Sequence, residues 1–234
     1  KQMLAKGHKI FGIRLDSGDL AYLSQLARRK FDEAGVGFMK IVASNDLDEH
    51  IITSLKLQEA AIDIWGVGTK LVTAFDQPAL GGVYKLSALE TSDGNWSDRI
   101  KLSEQSIKIN NPGFQQVKRF VKNGKILFDM IYDERDQLPD QLTIIDPADS
   151  LRRKTIDMKQ SESIDLLKPI IKNGIFTGKH DDLRQIQTRA REGLQQLDKT
   201  HRRLVHPHIY HVGLEQQLYD RRMNLILMNK NKYL

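Results

Sequence analysis

Three short polar stretches near the start of the chain carry side chains that could bind a phosphorylated or hydroxylated ligand. They are Arg14-Leu15-Asp16-Ser17, Asn45-Asp46 and Gly66-Val67-Gly68-Thr69. An arginine can pair with an anion, and a carboxylate can bind hydroxyl groups or a divalent cation. A glycine-rich turn before a helix offers free backbone N–H groups, and a threonine hydroxyl adds to them, so such a turn can cradle a phosphate. The residue types together predict a site for a phosphorylated sugar.

Each stretch taken alone also has a simpler interpretation. Asp16-Ser17-Gly18-Asp19 and Asn45-Asp46 are both typical of helix N-caps. The Gly-x-Gly-Thr pattern is common in ordinary turns between a strand and a helix. Lys85 alternates with Val83 in a strand-like segment, so the period of two leaves it open to either solvent or a site. The function therefore depends on whether the surrounding elements bring these residues together.

The first part of the chain alternates between strand and helix patterns. This alternation predicts parallel βαβ units, and we expect a partial parallel α/β barrel whose remaining strands come from elsewhere. The predicted elements are strands at Lys9–Asp16, Gly37–Ser44, Ala61–Trp65 and Gly82–Leu89, and helices at Leu20–Ala34 and about Leu47–Glu59. Asp16, Asn45-Asp46 and Gly66–Thr69 each fall between a strand and a helix, which places them on the rim where barrel active sites are built. Arg14 lies two residues before Asp16, so we expect both side chains on the same side of the strand.

From about Thr91 the pattern changes to that of a C-terminal α+β or helical segment. Lys125–Tyr132 is typical of an antiparallel strand, and Asn173-Gly174 of a turn. Asp181–Arg203 and Leu214–Asn229 are predicted to be amphipathic helices. We therefore expect two domains, residues 1–103 as part of the barrel and residues 104–234 as an accessory domain.

Composition limits the class of protein. The 234 residues are 40% hydrophobic and 28% charged, which is ordinary for a soluble globular protein. There is no cysteine, which excludes disulfides and thiolate chemistry and fits a reducing, cytoplasmic location. No apolar run approaches the ~20 residues that span a bilayer, so no membrane partner is expected. Because the chain begins with Lys1 and leads almost directly into a strand, we expect it to be a fragment of a longer polypeptide.

The net charge of +6 raises the alternative of a basic nucleic-acid-binding domain. Basic residues such as Lys118, Arg119, Arg202 and Arg203 are interspersed with acids and follow no recognisable nucleic-acid-binding motif. Anionic small-molecule substrates account equally well for a mild positive charge. We therefore expect no nucleic-acid partner.

Beyond these patterns, seven segments carry a family resemblance, namely Gly12–Leu20, Ala43–Glu49, Gly66–Thr69, Leu80–Leu86, Arg99–Ser103, Asn111–Gly113 and His208–Leu214. Together they resemble the nicotinate phosphoribosyltransferase family. They occur in the family's order and approximate spacing, strongly over residues 10–113 and more loosely after that. The combination is specific, although no single segment is.

The resemblance implies a type II phosphoribosyltransferase that condenses nicotinate with phosphoribosyl pyrophosphate. The products are nicotinate mononucleotide and pyrophosphate, and the reaction is coupled to ATP hydrolysis as an early step of NAD salvage. It also implies Mg²⁺ as a cofactor and a homodimer. By the same resemblance, Arg14 and Asp16 are catalytic residues, and Asp16 also supports Mg²⁺. The substrate-binding residues that it implies are Ser17, Asn45, Asp46, Gly66, Gly68, Thr69 and Lys85.

The same resemblance implies that important parts lie outside this chain. The family's phosphorylatable histidine and the aromatic residue that stacks on the pyridine ring belong to the N-terminal half of the polypeptide. We therefore expect the isolated chain to be inactive. Two further alternatives stay open, namely a nicotinamide phosphoribosyltransferase relative and a structural or regulatory remnant without activity.

Overall fold

The computed structural model describes residues 1–79, 81–105, 108–178 and 180–230. Leu80, which opens one of the segments that carry the family resemblance, lies outside the described residues. Contacts divide the chain into two compact units, Lys1–Gly82 and Val83–Leu234, and each is described by itself.

The first unit alternates helices and strands as the sequence predicts. Its elements are α1 (Gln2–Ala5), β1 (Gly12–Leu15), α2 (Leu20–Glu33), β2 (Lys40–Ala43), α3 (Glu49–Leu57), β3 (Ile64–Trp65) and α4 (Thr69–Val72). The three strands pair in parallel in the order β1-β2-β3. Leu15 is in register with Ala43, and Ala43 with Trp65, so the three strands end side by side. The polar stretches that follow them therefore begin at one edge of the sheet.

Helices α2 and α3 cover one side of this small sheet. Ala43 and Leu47 pack with Leu20, Ala21 and Leu55 in one buried cluster. Strands β1 and β2 approach closely at Gly12. A Cβ atom there would lie 2.0 Å from the Lys40 carbonyl oxygen, so only glycine fits at this position. Several large apolar side chains of the unit remain exposed, namely Phe11, Tyr22, Phe38 and Leu57.

The structure corrects the expected fourth strand. Residues 81–87 of the predicted strand Gly82–Leu89 form no regular element, and a short strand, β4, spans Ala88–Glu90. It pairs antiparallel with β5 (Trp96–Asp98) around a turn at Gly94, and not with the parallel sheet. The parallel sheet has three strands in the described chain and is open, so the fold is mixed α/β and the expected partial barrel is not confirmed.

The second unit is built on a six-stranded sheet with the order β10-β6-β7-β13-β8-β9. After β4 and β5, its elements are β6 (Gln115–Lys122), β7 (Lys125–Asp133), β8 (Gln141–Asp146), β9 (Asp149–Asp157), β10 (Glu162–Asp165), β11 (Ile171–Lys172), β12 (Ile175–Phe176), α5 (Leu183–Gln196), β13 (Val212–Glu215) and α6 (Gln216–Lys230). The predicted antiparallel strand at Lys125–Tyr132 and the turn at Asn173-Gly174 are both confirmed. Helix α5 ends earlier than expected, and the residues predicted to begin the last helix instead form β13.

A continuous apolar core stabilises this larger sheet. Phe120 and Phe128 stack with ring centroids 4.8 Å apart, and Met130, Leu142 and Ile144 are buried beside them. Helix α6 packs against β8 and β13 and buries Leu218 and Ile226. The second unit therefore has a hydrophobic core of its own.

A cluster of opposite charges around the buried Asp133 joins β7 to α6. Asp133 is fully buried and accepts hydrogen bonds from Arg135 and from Arg221, whose Nη1 lies 2.7 Å away. Burial alone would raise the pKa of Asp133, but the bonds and charges of the two arginines outweigh it and hold that pKa below its usual value. Asp98 and Asp136 complete the cluster through Arg135 and Arg221.

The units divide about twenty residues before the boundary that we expected near residue 103. Residues just after Gly82 bond within the second unit, because the Ser87 carbonyl accepts from Arg99 N and Gly113 N, and Arg135 pairs with Asp98. Among the described residues, no helix is both long and apolar enough to cross a bilayer.

Candidate functional site

The end of β1 forms the first corner of the candidate site. Arg14 Nη2 lies 3.0 Å from Asp16 Oδ2, so the two side chains point to the same side as expected. Arg14 Nη1 donates to Ser44 Oγ at 2.9 Å, and Ser44 Oγ donates to Asp16 Oδ1 at 2.6 Å. This triangle links the ends of β1 and β2, yet the side chains of Arg14 and Asp16 stay 62% and 52% exposed. Charged groups that are held in place but open to solvent are suited to binding a polar ligand.

Helix capping does not explain Asp16. The N-cap of α2 is Asp19, whose side chain accepts from Tyr22 N at 3.0 Å. Ser17 is exposed in the turn between Asp16 and that cap. The capping alternative is thus satisfied by another residue, and Asp16 and Ser17 remain available for a ligand.

At the end of β2, Asn45-Asp46 was considered as the N-cap of α3, and here too another residue caps the helix. The N-cap is Asp48, which accepts from Ile51 N at 2.8 Å. That backbone hydrogen bond is the main cause of a lowered pKa of Asp48, and Lys70 contributes to the shift. Asn45 and Asp46 both have positive φ, 102° and 45°. Two consecutive left-handed residues other than glycine are strained by about 1–3 kcal/mol each, and such strain concentrates at functional sites.

The end of β3 contributes the glycine-containing turn. Gly66 N donates to the Ala43 carbonyl at 2.7 Å, and a Cβ atom there would lie 3.3 Å from that oxygen. Gly66 therefore lets the turn pass close to the end of β2. Gly68 is the N-cap of α4 and makes no side-chain cap, and α4 is only four residues long. Such a short helix offers a small dipole, so a phosphate there would depend on local N–H groups and on Thr69.

A concavity with a volume of about 420 Å³ is lined by residues of the second and third polar stretches. Asp46 and Asp48 line it together with Thr69, Lys70 and Phe75. Lys70 Nζ lies 3.6 Å from Asp48 Oδ2 and 3.8 Å from the centre of the Phe75 ring. The concavity thus combines two carboxylates, a hydroxyl and an ammonium group, which can bind the hydroxyls and phosphate of a sugar phosphate.

Two of these residues were missed by our interpretation of the sequence. Ser44 joins Arg14 to Asp16, and Lys70 supplies the cation in the concavity. Ser44 had a signal, because it ends a predicted strand and precedes Asn45-Asp46. Lys70 directly follows the Gly-x-Gly-Thr turn, where a basic residue could have been considered together with a bound phosphate.

Lys85 lies in the second unit. The strand that we expected around it is not formed. The residue lies in the irregular segment 81–87, and its Nζ donates to the carbonyl oxygen of Lys108. No group of three or more histidines and acids that could hold a metal occurs in the ranges that the structure describes.

Comparison with known proteins identifies relatives over almost the whole chain. The family "Nicotinate phosphoribosyltransferase C-terminal domain" matches residues 114–222. The nicotinate phosphoribosyltransferase of Bacillus subtilis is 40% identical over 92% of this chain and 44% of its own length. That of Dictyostelium discoideum is 34% identical over 94% of this chain and 39% of its own. The chain spans less than half the length of these relatives.

A solved structure is also similar to this chain. The crystal structure of human nicotinic acid phosphoribosyltransferase superposes with a TM-score of 0.68 and 26% identity, covering 94% of this chain and 41% of the human one. The chain belongs to the nicotinate phosphoribosyltransferase family.

Proposed function

We propose that this chain forms the phosphate- and ribose-binding part of a nicotinate phosphoribosyltransferase. The complete enzyme condenses nicotinate with phosphoribosyl pyrophosphate, coupled to ATP hydrolysis, and yields nicotinate mononucleotide for NAD salvage. One observation carries the proposal, namely that three parallel strands end in register and present the three polar stretches at one edge. Asp19 and Asp48 meet the capping needs of the helices, which leaves the other polar residues for a ligand.

The chemistry of each side chain suggests which part of the substrate it binds. Arg14 pairs with the phosphate or carboxylate of the pyridine nucleotide, since a guanidinium can bind either one through two hydrogen bonds. Asp16 and Ser17 bind ribose hydroxyls, and Asn45 and Asp46 line the ribose on its other side. The 5′-phosphate is bound by the turn of Gly66, Gly68 and Thr69, with Lys70 as the nearby cation. Lys85, in the second unit, keeps the substrate-binding role that the family resemblance implies.

Mg²⁺ is compatible with this arrangement. Mg²⁺ usually takes one or two carboxylates and completes its coordination with substrate phosphates and water. Asp16 is the acid that we assign to it, because its carboxylate is half-exposed and held by Ser44 and Arg14. When bound, the ion would stabilise the charge on the departing pyrophosphate. The chain's own task is to fix the ribose and its phosphate, so that the reacting carbon is correctly placed.

The barrel, the homodimer and the cytoplasmic location belong to the same proposal. The exposed Phe11 and Phe38, which lie just before β1 and β2, support further barrel strands supplied by the rest of the polypeptide. Such strands would cover apolar surface that the three-stranded sheet leaves open. The isolated 234-residue chain is accordingly expected to be inactive.

The test compares three assays. The full-length polypeptide that contains this chain should form nicotinate mononucleotide from nicotinate and phosphoribosyl pyrophosphate, faster with ATP than without it. Nicotinamide in place of nicotinate should give little product, and the isolated chain should give none. A preference for nicotinamide would assign the protein to the other substrate. Steeply salt-dependent binding to a nucleic acid without any transferase activity would favour the nucleic-acid alternative.

A further inference from the structure

The short helix α4 of the first unit ends in a turn that brings Phe75 back to Lys70. Ala74 has a positive φ of 47°, which is uncommon for a residue other than glycine. Ala74 N donates to the Leu71 carbonyl at 3.2 Å, and Phe75 N donates to the Lys70 carbonyl at 3.1 Å. These two bonds form a Schellman motif, in which the residue after the left-handed one often packs against the residue five positions before it. The backbone thus places the Phe75 side chain against Lys70.

The ammonium group of Lys70 contacts two side chains that are themselves fixed. Its Nζ lies 3.8 Å from the centre of the Phe75 ring, whose negative face attracts a cation. The same Nζ lies 3.6 Å from Asp48 Oδ2, and the Asp48 carboxylate is bound to Ile51 N as the N-cap of α3. A distance of 3.6 Å is too long for a hydrogen bond, so the contact with Asp48 takes up none of the three N–H donors of the ammonium.

Lys70 and Phe75 line the same concavity as Thr69, whose hydroxyl we assign to the phosphate. A lysine ammonium ends a flexible four-carbon stem, and ordering that stem when a ligand binds costs conformational entropy. The contacts with Phe75 and Asp48 restrict the stem before a ligand arrives, which lowers this cost. Because α4 has only four residues and thus a small dipole, a phosphate in this concavity depends strongly on a fixed cation.

We propose that Phe75 is a positioning residue that holds the Lys70 ammonium in the concavity for the 5′-phosphate of the nucleotide. The inference rests on the proposed function for the identity of the ligand, and on the Schellman motif and the ring contact for the role of Phe75. Phe75 acts through Lys70 and not by contact with the ligand. Its ring should therefore affect binding only when the ligand carries the phosphate, and only while Lys70 is present.

The test measures the affinity of the full-length polypeptide for two ligands by calorimetry, namely nicotinate mononucleotide and the nucleoside that lacks its 5′-phosphate. Phe75→Leu keeps an apolar side chain but removes the ring face, so it should weaken nucleotide binding about fivefold. The same variant should bind the nucleoside within about twofold of the native protein. In a Lys70→Met background, Phe75→Leu should change the nucleotide affinity less than about twofold. A purely structural role of Phe75 would weaken binding of both ligands alike.

Two further variants serve as controls. Phe75→Tyr keeps the ring face and should retain the native affinity for the nucleotide within about twofold. Val72→Ala is the matched control on the same helix, because Val72 is 84% exposed and its truncation should change neither affinity. If Phe75→Leu does not fold, as judged by circular dichroism, Phe75→Met also lacks the ring and should show the same dependence on Lys70 and on the phosphate.

The outcomes separate this inference from the proposed function. An unchanged nucleotide affinity in Phe75→Leu, an equal loss for nucleotide and nucleoside, an equal loss with and without Lys70, or no nucleotide binding by the native protein would each overturn the inference. Formation of nicotinate mononucleotide by the same native protein would still support the transferase. If the native protein forms no nicotinate mononucleotide but binds it with the expected dependence on Lys70 and the phosphate, the role of Phe75 stands and the transferase proposal fails.

Discussion

The two units of this chain differ in how they use charged residues. In the first unit, Arg14 and Asp16 lie at the strand ends with their side chains more than half exposed. In the second, Asp133 is completely buried and is bound by Arg135 and Arg221. The first arrangement leaves charge available to a ligand, whereas the second uses charge to join elements of the fold. Ion pairs of similar length thus have different roles, and burial distinguishes them.

The units also differ in how complete their cores are. The strands of the first unit are two to four residues long, and large apolar side chains such as Phe11 stay exposed. The second unit has strands of up to nine residues and a core in which Met130, Leu142 and Ile144 are fully buried. Substitutions in the second unit should therefore change folding first, and substitutions at the strand ends of the first should change ligand binding first.

The largest effect is expected from Asp133→Asn. The substitution removes the buried anion that the partly exposed Arg135 and Arg221 share, and breaking an ion pair at a buried charge costs about 3–5 kcal/mol. Urea unfolding, followed by circular dichroism, measures the loss. Asp140→Asn is the control, because Asp140 and Lys159 form a pair whose side chains are 67% and 72% exposed, and it should change stability by less than ~1 kcal/mol. Equal effects of the two substitutions would contradict the distinction drawn from burial.

Asp16→Asn should show the opposite behaviour. In the full-length polypeptide it should lower the rate of nicotinate mononucleotide formation about 100-fold, since misplacing a ligand group at the reacting centre costs that much. The free energy of unfolding should change by less than ~1 kcal/mol, because the pair with Arg14 is exposed. Turnover comes from initial rates and stability from urea unfolding of the same preparation. Unfolding together with normal activity per folded molecule would show that Asp16 is structural.

The periodic elements around Asp16 were predictable from the sequence because their patterns are local. The alternation of Ile13 and Leu15 with the residues between them predicted β1. The apolar stripe after Asp19 predicted α2. The residues that cap α2 and α3 were harder to assign, since several Asp, Asn and Ser residues precede each helix and any of them can cap it. Only the backbone geometry shows that Asp19 and Asp48 are the caps.

The remaining errors have non-local causes. The segment before β4 has the alternation of a strand, but its backbone is held by Asn110 and Gly113, which lie more than twenty residues later. The last two residues of β13, Leu214 and Glu215, were predicted as helix because the apolar pattern continues into α6. The strand is formed by pairing with Ile131 and Ile145, which are distant in the sequence. A signal for the β6–β7 hairpin was present but not used, namely Asn123-Gly124, whose positive φ angles of 51° and 70° suit a two-residue turn.

A smaller effect should appear in the acid stability of the first unit. The pKa of Asp63 is lowered chiefly by the hydrogen bond from Ile41 N, and Lys40 and Arg28 add to the shift. A carboxylate with a lowered folded-state pKa stabilises the fold above its unfolded value of 3.8, and this contribution is lost as the pH falls through the folded value. Asp63→Asn should therefore cost roughly 1–2 kcal/mol near pH 6 and much less near pH 2.5.

Urea unfolding at the two pH values measures this difference. Glu33→Gln, at the exposed end of α2, is the control and should not alter the pH dependence. The same loss of stability by Asp63→Asn at both pH values would show that the carboxylate charge plays no part in binding Arg28 of α2 and Lys40 of β2.

The smallest effect is expected from Thr69→Val, which tests the glycine-containing turn. The substitution keeps the shape of the side chain and removes the hydroxyl, so one hydrogen bond to the phosphate is lost at a cost of about 1 kcal/mol. We expect the KM for phosphoribosyl pyrophosphate to rise about fivefold, while kcat and the KM for nicotinate stay within twofold. Thr53→Val is the matched control, because Thr53 lies in α3, where its hydroxyl donates to the Glu49 carbonyl. An unchanged KM for phosphoribosyl pyrophosphate in Thr69→Val would mean that the phosphate is bound elsewhere, and the first unit would then contribute only the ribose side of the site.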